Sequence, residues 1–211
     1  MSALLPLPAA GQNELRRIEQ AYADADPLAA LAAIDAYAGA ALAHALFTVN
    51  RHDEARMRVV RLYSSNPSAY PPGGGKDKAG TAWGRHVLLE HKVFVGEGED
   101  AIQAFFDDHA AIQALGLRSV INVPVVLDGA CLGTLNFLMP RPAVSASNLH
   151  TARLLGLVAL PALRALCAGD ERGRDTRPHP RYTKALRIRA EVMSITTTKA
   201  TMMIMTAQVS A

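Results

Sequence analysis

The residues of this sequence best suited to acid–base chemistry are Asp107, Asp108 and His109, which stand directly ahead of a predicted helix. Two carboxylates beside an imidazole could transfer protons or bind a polar ligand. Aspartate is also a preferred N-cap residue, so one of the carboxylates could simply cap the helix. The sequence leaves both interpretations open.

Further candidates for a binding site are polar or aromatic residues in apolar surroundings. Asn122 lies in an apolar, strand-like run, where a buried amide must hydrogen-bond either to the backbone or to a ligand. Trp83 and His86 follow a glycine-rich loop, and Phe105 and Phe106 precede the acidic pair. These side chains could cover a pocket, or they could belong to an ordinary core.

Two other patterns argue against common kinds of site. Cys131 and Cys167 are the only cysteines, and they form no CxxC spacing, so neither zinc nor a disulfide framework is indicated. Gly73, Gly74 and Gly75 precede Lys76, but the Gly-Lys-Ser/Thr spacing that leads into a helix is missing, which disfavours a phosphate loop.

Composition predicts one globular domain in the cytoplasm. Half of the 211 residues are apolar, which is enough for a sizeable core. We find no signal peptide and no apolar run long enough to span a membrane, so we expect no membrane partner. Residues 1–167 hold 14 Lys/Arg against 15 Asp/Glu, whereas residues 168–211 hold 8 against 4. The basic charge therefore belongs to a tail, and no nucleic-acid partner is expected.

The periodicity of the chain predicts helices at both ends and strands between them. A helix should begin near Asn13 and a second, alanine-rich one after Asp26, and their small residues favour close packing against another helix, including one of a second subunit. A final helix, capped by Ser145 or Ser147, should be kinked at Pro161. Between them we predict a hairpin of 46–50 and 57–64, a surface loop over 65–78, and short elements up to Gly116.

The clearest local signal is a hairpin formed by 119–127 and 130–139, because Asp128-Gly129 is a preferred two-residue turn. An uninterrupted register would pair Asn122 with Leu135 and put Val120 opposite Phe137, all on one face of the sheet.

The segment Ser119-Val120-Ile121-Asn122-Val123-Pro124-Val125-Val126, the turn, and Leu132-Gly133-Thr134-Leu135-Asn136 are similar to the hallmark of the GAF domain family. The likeness covers residues 12–167 and leaves residues 1–11 as an N-terminal extension and 168–211 as a tail. It implies an α/β fold of the α+β type, with a central antiparallel sheet of five to six strands. Terminal helices would pack on one face, and loops and short helices would form a pocket on the other.

The resemblance also implies a site and a role. In bilin-binding members a histidine corresponding to His109 faces the pocket, and the strand of Asn122 lines it. We therefore expect a small-molecule-binding sensory or regulatory module, acting through a homodimer of its terminal helices or a signalling partner. The expected ligand is a nucleotide or another small metabolite. The pocket candidates are Trp83, His86, Phe105, Asp108, His109, Asn122, Leu135 and Phe137.

Two alternatives remain. The free methionine-R-sulfoxide reductases are stand-alone GAF enzymes that use cysteine thiolates, but here Trp83 stands about where one family cysteine would fall, and 108–116 contain none. We therefore favour a protein that is not an enzyme, and we expect no covalently bound bilin, for want of an attachment cysteine. A dimerisation module whose pocket is filled by side chains is the other alternative.

Overall fold

The computed structural model describes residues 9–173, with side chains for residues 12–169. Predictions that fall on residues 1–8 and 174–211, including most of the basic tail, lie outside the described residues. The regular elements are α1 (Ala9–Ala23), α2 (Pro27–Leu42), β1 (Leu46–Asp53), β2 (Arg58–Ser64), β3 (Gly75–Asp77), β4 (Phe94–Glu97), α3 (Gly98–Phe105), α4 (His109–Ala114), β5 (Ser119–Leu127), β6 (Ala130–Met139), α5 (Ala146–Val158) and α6 (Leu160–Gly173), with a 3₁₀ turn at Glu54–Arg56 and a π-helix at Gly84–Leu89.

The strands form one six-stranded antiparallel sheet in the order β3-β2-β1-β6-β5-β4. The predicted α+β class, with a central antiparallel sheet of five to six strands, is therefore confirmed. The segment 65–78 differs from the prediction of a plain loop, because its last part forms the edge strand β3. Three backbone pairs tie β3 to β2, from Arg58–Asp77 to Val60–Gly75.

The β5–β6 hairpin turns at Asp128 and Gly129, whose φ angles are 51° and 76°, as its sequence predicts. Its predicted register is wrong beyond the second pair, because a β-bulge lies between Val125 and Val126. One extra residue shifts every later pair, so Asn122 lies opposite Asn136 instead of Leu135.

Helices cover one face of the sheet. Asp26 caps α2 by accepting hydrogen bonds from the backbone of Leu28 and Ala29, and Pro27 occupies the first turn, where a missing N–H costs nothing. In α5, the absence of a side chain at Gly156 lets the helix lie against Val123 of β5, since a Cβ there would be 2.8 Å from Val123 Cγ1.

The last two helices follow the predicted cap and kink. Ser145 begins α5 with a capping box that it shares with Asn148. The axis then bends by 46° between α5 and the start of α6, where Pro161 is the second residue.

A buried polar cluster ties α2 to the sheet. Asp35 of α2 lies 2.7 Å from His44 Nε2 and accepts a hydrogen bond of 2.9 Å from the Tyr63 hydroxyl. The His44 ring packs edge-on against Phe137, which stacks on Phe47 with ring centroids 4.9 Å apart. These aromatic side chains form the core beneath the helical layer.

No single helix among the described residues is long and apolar enough to cross a membrane. The pair Ala146–Val158 and Leu160–Gly169 passes the same criterion of length and composition only when both bent helices are counted together.

Gly133 is required where β6 lies against β1. A Cβ at this position would lie 2.0 Å from the carbonyl oxygen of Asn50 and 2.9 Å from the Cα of Arg51. We expect Gly133→Ala to lower the free energy of unfolding by roughly 2–3 kcal/mol, since the backbone itself must move. Urea denaturation measures this change.

The matched control is Gly169→Ala, because nothing lies within 4 Å of a Cβ placed there. That variant should be neutral or stabilised by up to about 1 kcal/mol, as alanine is the better helix former. Equal losses for the two variants would contradict the role assigned to Gly133.

Candidate functional site

A cavity of about 70 Å³ lies on the sheet face opposite α2 and α5. Its floor is formed by alternate residues of β1, β2, β5 and β6, and its cover by residues 65–83, which we call the lid segment, together with α4 and the residues before it. The lining residues are Leu46, Thr48, Asn50, Val59, Arg61, Tyr70, Gly74, Lys76, Lys78, Trp83, Phe106, Asp108, Ile112, Val120, Asn122, Asn136 and Leu138.

A chain of side-chain hydrogen bonds crosses the floor. Trp83 Nε1 donates to Asn122 Oδ1 at 2.9 Å, and Asn122 Nδ2 donates to Asn136 Oδ1 at 2.8 Å. Asn136 Nδ2 in turn donates to the hydroxyl and the carbonyl oxygen of Thr48, at 3.1 and 3.2 Å. The amide of Asn122 is thus satisfied by the side chains of Trp83 and Asn136, a third kind of partner beside the backbone and the ligand that the sequence left open.

The lid segment is fixed to the sheet by its backbone. Arg61 N–H donates to the carbonyl of Gly74, and Gly73 N–H donates to the carbonyl of Arg61, both at 2.8 Å. Thr81 then accepts a hydrogen bond from Gly84 N–H and donates one to the carbonyl of Lys78, both at 2.9 Å. A Cβ at Gly84 would lie 2.4 Å from the carbonyl oxygen of Lys78, so only glycine permits this close turn.

Lys78 is a buried cation with only 6% of its surface exposed. Its ammonium lies over the indole of Trp83, 5.1 Å from the ring centroid, and it forms no ion pair with any described residue. A desolvated cation–π contact contributes about 2 kcal/mol, whereas burying an ion costs several kcal/mol. The contact therefore does not fully offset the burial.

The pKa of Lys78 shifts in the direction that this burial requires. Burial lowers the pKa of the ammonium group, and the positive charge of Lys76 lowers it further. Asp107, Asp108 and Asp77 act in the opposite sense but do not outweigh them. Lys78 thus lacks the close anionic partner that would favour its charged form.

Asp108 has its carboxylate turned to the cavity. Asp108 stands at the N-cap of α4, but its side chain makes no capping hydrogen bond, so the capping interpretation is wrong for this residue. Its carboxylate accepts a hydrogen bond of 3.1 Å from the Tyr70 hydroxyl and forms an ion pair with Lys76. Burial alone would raise the pKa of Asp108, but the hydrogen bonds from Lys76 and Tyr70 outweigh it and lower that pKa.

Arg61 completes the charged part of the wall. Its guanidinium lies over the Tyr70 ring, 4.9 Å from the centroid, and donates a hydrogen bond of 2.9 Å to the carbonyl of Pro71. Its Nε–H is buried and has no acceptor among the described residues. The lining thus contains three cationic side chains and one carboxylate.

The structure brings three of the eight predicted pocket residues to the cavity: Trp83, Asp108 and Asn122. Leu135 and Phe137 lie on the opposite, helix-covered face, a correction that follows from the bulge at Val125 and Val126.

The other three predicted residues are engaged elsewhere. His86 and Phe105 pack on Phe94, with ring centroids 6.3 and 4.8 Å away, and His86 Nε2 lies 3.1 Å from the carbonyl oxygen of Val93. His109 Nδ1 lies 3.2 Å from the carbonyl oxygen of Phe106. Phe106, the neighbour of Phe105, lines the cavity in its place.

Sequence reasoning missed Arg61, Tyr70, Lys76 and Lys78. The one available signal was the position of the two lysines around the end of the glycine-rich loop. The loop does not match a phosphate-loop motif, and no other motif in the sequence marks these lysines as part of a site.

The Cys131 thiol is poorly suited to act as a nucleophile. Burial raises the pKa of the Cys131 thiol to about 12, and its Sγ donates to the carbonyl oxygen of Gly133 at 3.3 Å. A thiol of this kind carries almost no thiolate at neutral pH. Within residues 9–173, no three His, Cys, Asp or Glu side chains come together as a metal site.

No protein-family model matches the sequence, and no curated protein matches it significantly. Solved structures do match. The GAF domain of an Acinetobacter phosphoenolpyruvate-protein phosphotransferase has a TM-score of 0.56 at 16% identity, covering 78% of this chain and 99% of that one. The corresponding domain from Coxiella burnetii has a TM-score of 0.54 at 14% identity, covering 77% and 99%. The chain has the GAF-domain fold.

A third match comes from a photoreceptor. The chromophore-binding domain of the R. palustris bacteriophytochrome RpBphP3 has a TM-score of 0.56 at 13% identity, covering 74% of this chain and 61% of that one. At these identities the likeness shows a shared fold and no more.

The hydrogen-bond chain on the cavity floor should be measurable in the stability of the protein. Asn122→Ala leaves the Trp83 N–H and the Asn136 carbonyl oxygen without partners, and each such orphan costs about 1–3 kcal/mol. Trp83 is the only tryptophan, so its fluorescence emission should also change. Urea denaturation followed by that emission measures both effects.

Asn13→Ala is the control, because Asn13 is exposed on α1. It should change the free energy of unfolding by less than about 0.5 kcal/mol. If Asn122→Ala were equally silent in stability and emission, the hydrogen-bond chain would not hold Trp83 to the sheet.

Proposed function

We propose that this chain is a small-molecule-binding sensory or regulatory GAF domain. The observation that carries the proposal is the cavity, which is covered by a lid segment whose tryptophan hydrogen-bonds to the sheet floor. A pocket with apolar walls and a few convergent polar groups is the usual form of a small-molecule site. The occurrence of the same fold in a phosphotransferase and a bacteriophytochrome agrees with a regulatory role.

A ligand would act by favouring one arrangement of the lid segment. Trp83 and Lys78 belong to that segment, and both contact the cavity directly. A ligand shifts a conformational equilibrium only by its difference in affinity for the two states. Contacts to these two side chains would supply such a difference, because they depend on the position of the lid.

The proposed output is a homodimer formed through the terminal helices, or a protein partner bound there. Leu28 of α2 and Leu154 and Leu157 of α5 are 49%, 49% and 71% exposed. Large apolar side chains on neighbouring helices favour association when several lie together. α2 and α5 are in contact with each other, which supports a shared surface.

A compound that enters the cavity should stabilise the protein. A thermal-shift screen of nucleotides, amino acids and short organic acids is expected to yield a ligand that stabilises by about 2.7 kcal/mol at a hundred times its dissociation constant. Leu138→Phe enlarges a side chain that lines the cavity, and it should raise the dissociation constant of that ligand at least tenfold.

Leu89→Phe is the matched control, since Leu89 is 54% exposed and does not line the cavity. It should bind as the wild type does. Stabilisation that persists in Leu138→Phe would place the ligand outside the cavity, and a complete absence of ligands would favour a dimerisation module with no sensory pocket.

The dimer is tested by a charge at its proposed centre. We expect Leu157→Glu to convert a wild-type dimer to a monomer, because an unpaired carboxylate would have to be buried at the interface. Native mass spectrometry measures the mass directly. Leu89→Glu changes another exposed leucine, outside the terminal helices, and should remain dimeric. A monomeric wild type would refute the interface.

A further inference from the structure

We propose that the cavity binds a small organic oxyanion, a carboxylate or phosphate on a short apolar body, whose charge lies between Lys78 and Arg61. This inference rests on the proposed sensory function and specifies the ligand class of the same site.

The charges of the cavity wall favour an anion. Arg61, Lys76 and Lys78 stand against the single carboxylate of Asp108, so the lining carries a formal charge of +2. Asp108 is already engaged by Lys76 and Tyr70. A ligand of charge −1 or −2 would compensate the remaining two cations, and it would do so where water screens weakly.

Two cationic groups of the wall lack an acceptor among the described residues. The Lys78 ammonium lies against the ring face of Trp83 and forms no ion pair there, and the Arg61 Nε–H is buried without a hydrogen-bond partner. The side chains of Asn122 and Asn136 are paired with each other. These two cationic donors favour a ligand rich in acceptor oxygens, and charge-assisted hydrogen bonds to carboxylate or phosphate are the strongest that such donors make.

The rest of the lining limits the body of the ligand. Leu46, Ile112, Val120 and Leu138 form one apolar cluster, against which Phe106 packs. A buried water needs about 10–15 Å³ of such space. A cavity of about 70 Å³ therefore suits a molecule of a few heavy atoms. A short-chain acid or a small phosphate ester fits both the charge and the size.

Butyrate and inorganic phosphate are suitable probes, with neutral butyramide as the isosteric control. Each is titrated at constant ionic strength, set with chloride, while the emission of Trp83 is followed. An anion that contacts Lys78 changes the environment of the indole, so butyrate or phosphate should alter the emission saturably, and butyramide should bind at least tenfold more weakly. The tighter of the two anions identifies the preferred head group.

Variants of Lys78 test the assigned contact. Lys78→Met keeps the apolar stem and removes the charge, so it should bind the anion at least tenfold more weakly while melting at or above the wild-type temperature. Lys78→Arg should keep most of the affinity. Lys92→Met, which removes a solvent-exposed lysine paired with Glu90, should leave binding unchanged.

The possible results separate this inference from the proposed function. Anion binding that is unchanged in Lys78→Met, or butyramide binding as tight as that of butyrate, overturns the oxyanion assignment. If neutral compounds bind and are blocked by Leu138→Phe while both anions fail, the sensory pocket stands and the oxyanion inference falls. If no compound of either kind binds, the proposed function falls as well.

Discussion

Two asparagine side chains, Asn122 and Asn136, lie buried on the cavity face of the sheet, and their need for partners organises the site. Each side-chain amide has an NH₂ donor and an oxygen acceptor. The NH₂ of Asn122 donates to the oxygen of Asn136, which leaves the oxygen of Asn122 as an acceptor and the NH₂ of Asn136 as a donor. The acceptor holds the Trp83 indole and the donor holds Thr48. The lid segment is thereby attached to the centre of the sheet by a hydrogen bond, which fixes the position of the Trp83 ring more specifically than apolar packing would.

The attachment of Trp83 determines the environment of Lys78. Because the indole is fixed by its N–H, its face is presented to the lysine ammonium, which is then buried with no carboxylate of residues 12–169 in contact. Thr81 and Gly84 hold the intervening backbone in a tight turn. Lys78, a buried cation with no ion-pair partner among the described residues, thus lies against an indole that the amides of β5 and β6 hold in place.

Much of the fold could be predicted from the sequence, because its signals are local. The Asp128-Gly129 turn, the two hairpins, the cap at Ser145 and the bend at Pro161 each depend on residues close together in the chain. The register of β5 on β6 could not be predicted in this way, since no residue type indicates the bulge at Val125 and Val126. One inserted position exchanged the two faces and placed Leu135 and Phe137 in the core instead of the pocket.

The site itself was predicted only in part, for a physical reason that concerns charge. Residues 1–167 carry 14 basic and 15 acidic side chains, a balance that indicates no anionic partner. The electrostatic potential inside a cavity, however, depends on the few charges that line it. The low dielectric of a protein interior strengthens the interaction with nearby charges, while solvent screens the interaction with distant ones. Three cations that β2 and the lid segment bring together therefore make the cavity positive, although residues 1–167 as a whole are nearly neutral. These cations come together because β3 pairs with β2, and the glycine-rich sequence of that segment predicts a loop instead of a strand.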